Sequence, residues 1–338
     1  MTPLARPSEL LLLSPRAETD EAFGELARRI WPVVAPLPVR LIHGNGSTDP
    51  PPEPGAALVT GGRPEALEVL GSISREGEGW RWVHLTASGP DPLHEWPILP
   101  GRPLITYSRG VNARSIAEWA LGAILHFRRD FDRYLHQAAE GRWERRWARE
   151  LAGSRLVVVG AGSAGSEVAL LARAFGMETV GISRSGRELP GFDRVGTADE
   201  LDPALEKADV TVVLLPLTER TRGSFGEARI RRLRADGLLL VASRGGIVDE
   251  EAVAEAVREG RLRGAAFDVF AEEPLAPDSP LWREPGVLVT PHVAGTTDRF
   301  MAHTAEILET IWRAAYEAPD SGALAPFKYE AAQPPVES

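Results

Sequence analysis

One short segment constrains the fold of this chain more than any other. The apolar run Leu156–Val159 leads directly into the hexapeptide GAGSAG at residues 160–165, and an apolar stretch at helical spacing follows. This order of strand, glycine-rich turn and helix is typical of the first unit of a doubly wound parallel sheet. In such a turn Gly160 allows the tight bend, Gly162 lets another group approach the backbone, and Gly165 lets helix and strand pack closely. The segment predicts a Rossmann nucleotide domain.

Two series of short apolar runs alternate with helical segments along the chain. The first series predicts strands at Leu10–Leu13, Val39–Ile42, Ala57–Thr60, Trp82–Leu85 and Leu104–Thr106. The second predicts strands at Leu156–Val159, Thr179–Ile182, Val210–Leu214, Leu238–Val241, Ala265–Phe267 and Val287–Val289. Because strands that alternate with helices form parallel sheets, we expect an α/β protein. The second series predicts the doubly wound domain, and the first a smaller flavodoxin-like α/β domain.

The helical segments indicate how the two domains are connected. Apolar positions recur at helical spacing from Ser115 to about Ala139, which predicts one long amphipathic helix between the domains. A last helical stretch, Thr297–Tyr316, follows the final strand and is expected to pack on the first domain. A chain of 338 residues also exceeds what one hydrophobic core usually organises. We therefore predict a discontinuous first domain of residues 1–102 and 294–338, and a nucleotide domain of residues 103–293.

Composition and charge argue against several classes of function. The formal net charge of −10 argues against nucleic acid as the main partner. No apolar run approaches the length of about 18 residues that a membrane span needs, and Ser14-Pro15 ends the early run Leu10–Leu13 too soon for a signal peptide. The absence of cysteine excludes disulfides, thiolate nucleophiles and cysteine-ligated metals. We predict a cytoplasmic protein without a metal site.

The context of the glycine-rich turn predicts a dinucleotide ligand. A helix N-terminus offers backbone donors and the positive end of a dipole to a pyrophosphate. The residues that would hold the pyrophosphate are Gly160, Gly162, Ser163, Ala164 and Gly165. The alternative, a tight turn that binds nothing, stays open on this motif alone.

The end of the next strand bears on the choice between NAD(H) and NADP(H). A carboxylate there would bind the ribose 2′-hydroxyl, but the chain has Ser183-Arg184-Ser185 at this point, with Arg187 close by. A guanidinium can pair with a 2′-phosphate through two hydrogen bonds. We therefore predict that NADP(H) is preferred. The alternative is that Arg184 and Arg187 are solvated surface residues, which leaves NAD(H) possible.

Three further stretches carry a resemblance to a known family. They are VASRGGIVD at residues 241–249, FDVFAEEPL at residues 267–275 and TPHVAG at residues 290–295. Together with the glycine-rich turn and with Asp209–Gly223, they resemble the D-isomer-specific 2-hydroxyacid dehydrogenases over roughly Thr106–Thr297. The resemblance implies a homodimeric oxidoreductase similar to glyoxylate/hydroxypyruvate reductases. Such an enzyme transfers a hydride between NAD(P)H and a small 2-oxo acid or D-2-hydroxy acid.

The resemblance also implies a catalytic set of three residues. Arg244 matches the arginine that binds the substrate, and its guanidinium suits a carboxylate because it never loses its charge. His292 matches the histidine that gives a proton to the developing alkoxide. Glu273 matches the carboxylate that orients this ring and favours its charged form, whereas the neighbouring Glu272 does not fit the family spacing.

Further contacts with cofactor and substrate follow from the same resemblance. Besides the glycine-rich turn, the cofactor would contact Ser183, Arg184, Ser185, Leu215, Pro216, Thr221, Ser243, Asp268, His292 and Gly295. A second interpretation of Asp268 is that it only caps a strand end. The substrate carboxylate would bind Arg244 and backbone N–H groups at Gly61, Ser88 and Gly89 in the first domain. Pro90 departs from the aliphatic residue of the family and has no N–H group.

Three further questions stay open in the sequence. The rival function is a non-catalytic, nucleotide-sensing binding protein of the corepressor type, a branch of the same family; the complete set of Arg, Glu and His favours the enzyme. The substrate is undecided among glyoxylate, hydroxypyruvate and a bulkier arylpyruvate. Trp143 and Trp147 precede the glycine-rich strand and would pack either at a dimer interface or in the core.

Overall fold

A computed structural model describes residues 4–14, 20–35, 37–43, 55–60, 80–89, 103–318 and 320–328. Its contacts divide the chain into two units, Met1–Val111 with Asp298–Ser338, and Asn112–Thr297. Each unit has its own sheet, and the strand pairs within both sheets are parallel. The predicted α/β class is confirmed.

The strands and helices follow the predicted alternation closely. The described strands are β1 (Leu10–Ser14), β2 (Val39–His43), β3 (Ala57–Thr60), β4 (Trp82–Leu85), β5 (Leu104–Tyr107), β6 (Arg155–Val159), β7 (Glu178–Ile182), β8 (Arg194–Gly196), β9 (Val210–Val213), β10 (Leu238–Val241), β11 (Gly264–Phe267) and β12 (Val287–Val289). The described helices are α1 (Asp20–Val34), α2 (Ala113–Arg128), α3 (Phe131–Ala139), α4 (Ser163–Ala174), α5 (Leu201–Leu205), α6 (Glu227–Ile230), α7 (Glu250–Arg258), α8 (Phe300–Trp312) and α9 (Ser321–Leu324). The sequence did not predict β8, which is too short to show an apolar pattern.

The first unit contains a five-stranded sheet in the order β2-β1-β3-β4-β5. This is the strand order of flavodoxin-like folds, as predicted. Helices α1 and α8 contribute to one buried cluster with β1, through residues such as Leu26, Ile311 and Leu10. On β4, the ring of Trp82 lies 6.3 Å from the ring of Trp312 between centroids. The last long helix therefore packs within this unit.

The second unit contains a seven-stranded sheet in the order β12-β11-β10-β9-β6-β7-β8. The chain enters at β6, moves outward through β7 and β8, and then returns to β9 on the other side of β6. This reversal is the switch point of a doubly wound sheet, where ligands bind beyond the carboxyl ends of the strands. Val157 and Val159 of β6 belong to one buried cluster, and Leu156 and Val158 to another. Both faces of the sheet are therefore covered, and the predicted Rossmann domain is confirmed.

The prediction of a single long helix from Ser115 to Ala139 is wrong. The structure has α2 and α3, separated by Arg129 and Asp130, and Asp130 adopts a left-handed backbone conformation with φ of 55°. The cause is a distant partner, because Nη2 of Arg263 donates to Oδ1 of Asp130 at 2.7 Å and to Oδ1 of Asp132 at 3.0 Å. These ion pairs hold the chain in the turn that separates the helices.

The division between the units differs slightly from the predicted boundaries. Contacts place it at Val111/Asn112 and Thr297/Asp298, whereas the sequence placed it at 102/103 and 293/294. The first difference has a simple cause, since β5 hydrogen-bonds to β4, with Leu104 beside Trp82, and so belongs to the first sheet. Within the described residues, no helix combines the length and apolar character that a membrane span requires.

Candidate active site

The glycine-rich turn after β6 depends on glycine at two positions. Gly160 has φ of 103°, and a Cβ atom there would lie 2.5 Å from the carbonyl oxygen of Leu214. A Cβ atom at Gly165 would lie 2.8 Å from the carbonyl oxygen of Gly160. Both approaches are shorter than a methyl group tolerates. The turn is therefore pressed against the segment after β9 on one side and against α4 on the other.

Gly162 is different, because a Cβ atom there would meet no atom within 4 Å. It is the N-cap of α4, and no side chain caps the helix. The first N–H groups of α4 have no acceptor within the helix, as at every helix N-terminus. Ser163 is exposed and Ala164 is partly exposed beside them. An open approach, free donors and a positive dipole end fit the pyrophosphate of a dinucleotide.

The segment after β7 presents arginine where a carboxylate would select NAD(H). Ser183 is half-buried and its hydroxyl accepts from the backbone N–H of Gly186 at 3.1 Å, which shapes the loop. Arg184 and Ser185 are exposed, as is Arg187. Within the described part of the chain, neither arginine has an ion-pair partner. Their charges are available to an anion.

The segment after β9 lies beside the glycine-rich turn. The backbone nitrogen of Leu215 would be 3.0 Å from a Cβ atom at Gly160. The hydroxyl of Thr221 donates to the carbonyl oxygen of Pro216 at 2.6 Å, and accepts from the N–H of Thr218 at 2.8 Å. The structure therefore brings Leu215, Pro216 and Thr221 together in one fixed loop next to the turn.

Arg244 follows β10, at the carboxyl edge of the same sheet. It is half-buried, and its Nη1 donates to the carbonyl oxygen of Ser243 at 2.7 Å. Ser243 is buried, and its hydroxyl has no hydrogen-bond partner among the described residues. A buried hydroxyl without a partner is unusual in a folded protein, and a ligand at this edge would satisfy it. The orphan hydroxyl therefore supports a polar ligand beside Arg244.

His292 and Glu273 form a hydrogen-bonded pair. Nδ1 of His292 lies 2.7 Å from Oε2 of Glu273, and Oε1 of the same carboxylate accepts from the N–H of Phe270 at 3.0 Å. The side chains are 50% and 35% exposed. His292 has φ of 55°, a conformation that non-glycine residues rarely adopt. The carboxylate engages Nδ1, so Nε2 is the ring atom left to exchange a proton with a ligand.

Asp268 accepts hydrogen bonds from the backbone of the loop that carries His292. It is 2% exposed; Oδ1 accepts from the N–H of Val293 at 2.9 Å, and Oδ2 accepts from the N–H of Ala294 at 2.9 Å. Its backbone carbonyl also accepts from the N–H of His292 at 2.8 Å. These contacts match the second interpretation, a residue that caps a strand end. A contact between Asp268 and the cofactor stays a prediction.

Sequence reasoning missed the hydrogen bonds by which Trp119 and Thr290 support the loop that carries His292. Nε1 of Trp119 on α2 donates to Oγ1 of Thr290 at 3.0 Å, and that hydroxyl donates to Oδ1 of Asp268 at 2.5 Å. Thr290 lies in the motif that carries His292, but its partner could not be read from spacing. Asn112 also lies beside this loop: its Oδ1 is buried without a hydrogen-bond partner among the described residues, and its Nδ2 would be 2.5 Å from a Cβ atom at Gly295.

The residues predicted to bind the substrate in the first unit are partly described. Ser88 and Gly89 are half-buried and follow β4, whereas Gly61 lies outside the described residues. The N–H of Ser108 donates to the carbonyl oxygen of Ala87 at 3.1 Å, directly before Ser88. The strand ends thus fix the start of this loop.

His84 lies on β4, before that loop, and is fully buried. Its Nδ1 lies 2.7 Å from Oγ1 of Thr106 and its Nε2 lies 2.9 Å from Oγ of Ser108. Nε1 of Trp82 donates to the same Thr106 hydroxyl at 2.8 Å. Burial lowers the pKa of His84 to about 3. The ring is therefore neutral at physiological pH.

The fold and these contacts define a class: a doubly wound nucleotide-binding protein with an arginine and a histidine–carboxylate pair at the carboxyl edge of the sheet. These are the groups that a dinucleotide-dependent dehydrogenase needs. A family model described as "D-isomer specific 2-hydroxyacid dehydrogenase, NAD binding domain" matches residues 121–294. The chain belongs to the D-isomer specific 2-hydroxyacid dehydrogenase family, and the resemblance seen in its motifs is confirmed.

Known relatives agree with this assignment. Glyoxylate/hydroxypyruvate reductase A of Escherichia fergusonii is 34% identical over 229 residues, which are 68% of this chain and 73% of that protein. A D-isomer specific 2-hydroxyacid dehydrogenase family protein from Aeromonas salmonicida is 28% identical, with a TM-score of 0.79 over 96% of this chain and 99% of that one. NADPH-dependent glyoxylate/hydroxypyruvate reductase from Sinorhizobium meliloti, solved with NADP and sulfate, is 26% identical, with a TM-score of 0.74 over 90% and 94% of the two chains. The chain is thus a hydride-transferring oxidoreductase that uses a nicotinamide cofactor.

Proposed function

We propose that this chain is an NADP(H)-preferring D-2-hydroxyacid dehydrogenase that reduces a small 2-oxo acid. The observation that carries the proposal is the 2.7 Å contact between Nδ1 of His292 and Oε2 of Glu273. The pair follows β11 and β12, and Arg244 follows the neighbouring β10. A cation for a carboxylate and an acid for a carbonyl oxygen therefore lie along one edge of one sheet.

Each of the three residues has one task in the proposed reaction. The guanidinium of Arg244 binds the carboxylate of the substrate and polarises its carbonyl oxygen. Reduction requires a hydride at C2, which a nicotinamide held by the second unit would supply, and a proton at the oxygen, which Nε2 of His292 supplies. Glu273 accepts from Nδ1–H and holds the ring in place, which leaves Nε2 as the atom that gives the proton. The reverse reaction oxidises a D-2-hydroxy acid.

The residues of the second unit divide among the parts of the cofactor. The turn at Gly160, Gly162, Ser163, Ala164 and Gly165 would hold the pyrophosphate, and Leu215, Pro216 and Thr221 the adenosine. Ser243, Asp268, His292 and Gly295 would lie at the nicotinamide end. Ser183, Arg184 and Ser185 would hold the 2′-phosphate of NADP(H), so NAD(H) is expected to bind more weakly. The guanidinium of Arg184 is exposed and has no ion-pair partner among the described residues, and this supports the preference together with the NADP-bound relative from Sinorhizobium meliloti.

The first unit is proposed as the substrate domain and the second as the nucleotide domain. Backbone N–H groups of Gly61, Ser88 and Gly89 would add to the binding of the substrate carboxylate, as the family resemblance implies. Glyoxylate and hydroxypyruvate are the substrates that we propose first, because the relatives from Escherichia fergusonii and Sinorhizobium meliloti carry these names. The cytoplasmic location predicted from the sequence stays a prediction.

We also propose a homodimer. Trp143 and Trp147 are 92% and 101% exposed, which excludes the alternative that they pack in the core of one chain. Phe131 and Leu135 on the neighbouring α3 are 51% and 66% exposed. Four large apolar side chains within a short segment are more than an isolated soluble surface usually presents. A second copy of this chain would cover them.

The experiment that tests the function measures oxidation of NADPH and, separately, NADH by the purified chain with glyoxylate, hydroxypyruvate and phenylpyruvate. We expect turnover with at least one of these acids, and a lower KM for NADPH than for NADH. Binding of NADPH without turnover of any 2-oxo acid would instead support the nucleotide-sensing protein of the corepressor type.

A further inference from the structure

Glu250 holds the loop that carries Glu273. It is the first residue of α7, and its Oε1 accepts from the backbone N–H of Ala271 at 2.7 Å. The preceding N–H group, that of Phe270, donates to Oε1 of Glu273 at 3.0 Å. Two consecutive N–H groups are thus bound by two carboxylates, of which only Glu273 has a place in the proposed reaction.

The same loop is fixed from a second side. A Cβ atom at Gly245 would lie 1.7 Å from the carbonyl oxygen of Phe270, so this backbone passes directly over Gly245. Gly245 follows Arg244, and Glu250 begins the helix that comes next. The segment from Arg244 to Glu250 therefore supports the loop at both Phe270 and Ala271. It links the position of Arg244 to that of Glu273.

Glu250 keeps this contact in spite of an unfavourable environment. Burial raises the pKa of the Glu250 carboxyl, and the nearby carboxylates of Asp249 and Glu273 raise it further. The bond with Ala271 acts in the opposite direction. Asp249 cannot replace Glu250, because its Oδ1 accepts from the N–H of Ala252 at 3.0 Å as the N-cap of α7. The hydrogen bond from Ala271 offsets part of the cost of placing the Glu250 carboxylate near other negative charges.

We propose that Glu250 is a positioning residue that aligns the Glu273–His292 pair through Ala271. This role rests on the proposed function, in which that pair gives the proton. The chain of contacts runs from Oε1 of Glu250 to Ala271, through the backbone to Phe270, and from there to Glu273 and His292. Without the bond to Ala271, the loop can shift, and the carboxylate of Glu273 then loses its alignment with Nδ1 of His292. Displacement of a reacting group by about 1 Å can reduce a rate by about a hundredfold.

Two variants separate the reach of the side chain from its charge. Glu250→Asp keeps the charge but withdraws the acceptor by one methylene, so we expect kcat to fall by about ten- to a hundredfold. Glu250→Gln loses the charge but keeps an amide oxygen for Ala271, so we expect kcat within about twofold of wild type. Glu251→Asp, at the exposed neighbouring residue, is the matched control and should act like wild type. In Glu250→Asp the KM for NADPH should not change.

A measurement without turnover keeps this role separate from the proposed function. In the chain without substrate, a histidine Nδ1–H proton bound to a carboxylate gives a downfield NMR signal, which His292→Asn would assign. We expect the signal in wild type and in Glu250→Gln, and its loss or broadening in Glu250→Asp. An unchanged signal in Glu250→Asp, or equal loss in both variants, overturns the positioning role. A wild-type chain that shows the signal but reduces no 2-oxo acid contradicts the proposed function and leaves the positioning role standing.

Discussion

Nδ1 of His292 lies 2.7 Å from Oε2 of Glu273, and the other oxygen of that carboxylate is bound to the backbone N–H of Phe270. The carboxylate of Glu273 therefore holds both the ring of His292 and the backbone of the loop that carries Glu273. Its neighbour Glu272 is exposed and has no such contact with the ring. In the proposed function, this contact orients the ring and leaves Nε2 free of the carboxylate to give a proton.

Glu273→Gln should lower kcat/KM by about a hundredfold, because an amide keeps the reach of the side chain but replaces the negative charge that accepts from Nδ1–H with a neutral group. Glu272→Gln makes the same change of charge one residue away and should leave kcat/KM within about twofold. Steady-state kinetics with the best 2-oxo acid measures both variants. Equal effects of the two substitutions would contradict the role given to Glu273.

Arg184→Ala should raise the KM for NADPH by about tenfold or more, because it removes a charged partner of the 2′-phosphate. The KM for NADH should change little, since NADH lacks that phosphate. Arg283→Ala, at an exposed arginine before β12, controls for the loss of one positive charge. A parallel rise of both constants would count against a contact with the 2′-phosphate.

Gly245→Ala should destabilise the fold by about 2 kcal/mol or more, because its Cβ atom would lie 1.7 Å from the carbonyl oxygen of Phe270. The matched variant is Gly122→Ala in α2, where a Cβ atom would meet nothing within 4 Å. It should stabilise the chain by up to about 1 kcal/mol through helix propensity. Denaturant unfolding of both variants checks the contrast, and similar shifts would refute the close approach.

His84 should make the stability of the protein depend on pH in the acid range. Burial lowers its pKa from 6.5 to about 3, so the folded state binds this proton at a lower pH than the unfolded state does. The stability it contributes is present above pH 6.5 and is lost as pH falls toward 3, by about 1.4 kcal/mol per pH unit. His84→Gln should flatten the unfolding free energy over this range. A wild-type slope retained in the variant would mean that other groups cause it.

Trp143→Ser combined with Trp147→Ser should convert a dimer into a monomer, because it removes two large apolar side chains from the proposed interface. Trp31→Ser changes a tryptophan that is 46% exposed in the first unit and should leave the oligomeric state alone. Sedimentation velocity distinguishes the two masses. A wild-type chain that sediments as a monomer would contradict the proposed dimer.

Much of the fold could be predicted because it depends on local pattern. Strand positions and the glycine-rich turn follow from apolar runs and from the spacing at Gly160, Gly162 and Gly165. The break between α2 and α3 could not, since Asp130 takes its conformation from Arg263, a residue distant in the sequence. Periodicity continues through that break because both helices have apolar faces.

In the candidate site, too, local motifs predict some residues, while contacts between distant segments could not be predicted. The motifs indicated Arg244, Glu273 and His292, and the structure brings the last two into contact. The supports of these residues were not predictable, because they are contacts between segments. Glu250 reads as an ordinary acidic residue at a helix start, where it would be favoured by the dipole alone. Its bond to Ala271 depends on how the loops after β10 and β11 pass each other.

The most direct test of His292 as the proton donor is a single-turnover reaction of NADPH-loaded wild type and His292→Asn with the best 2-oxo acid. We expect wild type to form the corresponding 2-hydroxy acid as NADPH is consumed. We expect His292→Asn to slow this step by about a hundredfold or more while binding NADPH with nearly the same Kd. An unchanged rate in the variant would contradict His292 as the proton donor, and absence of any reaction in wild type would contradict the enzyme itself.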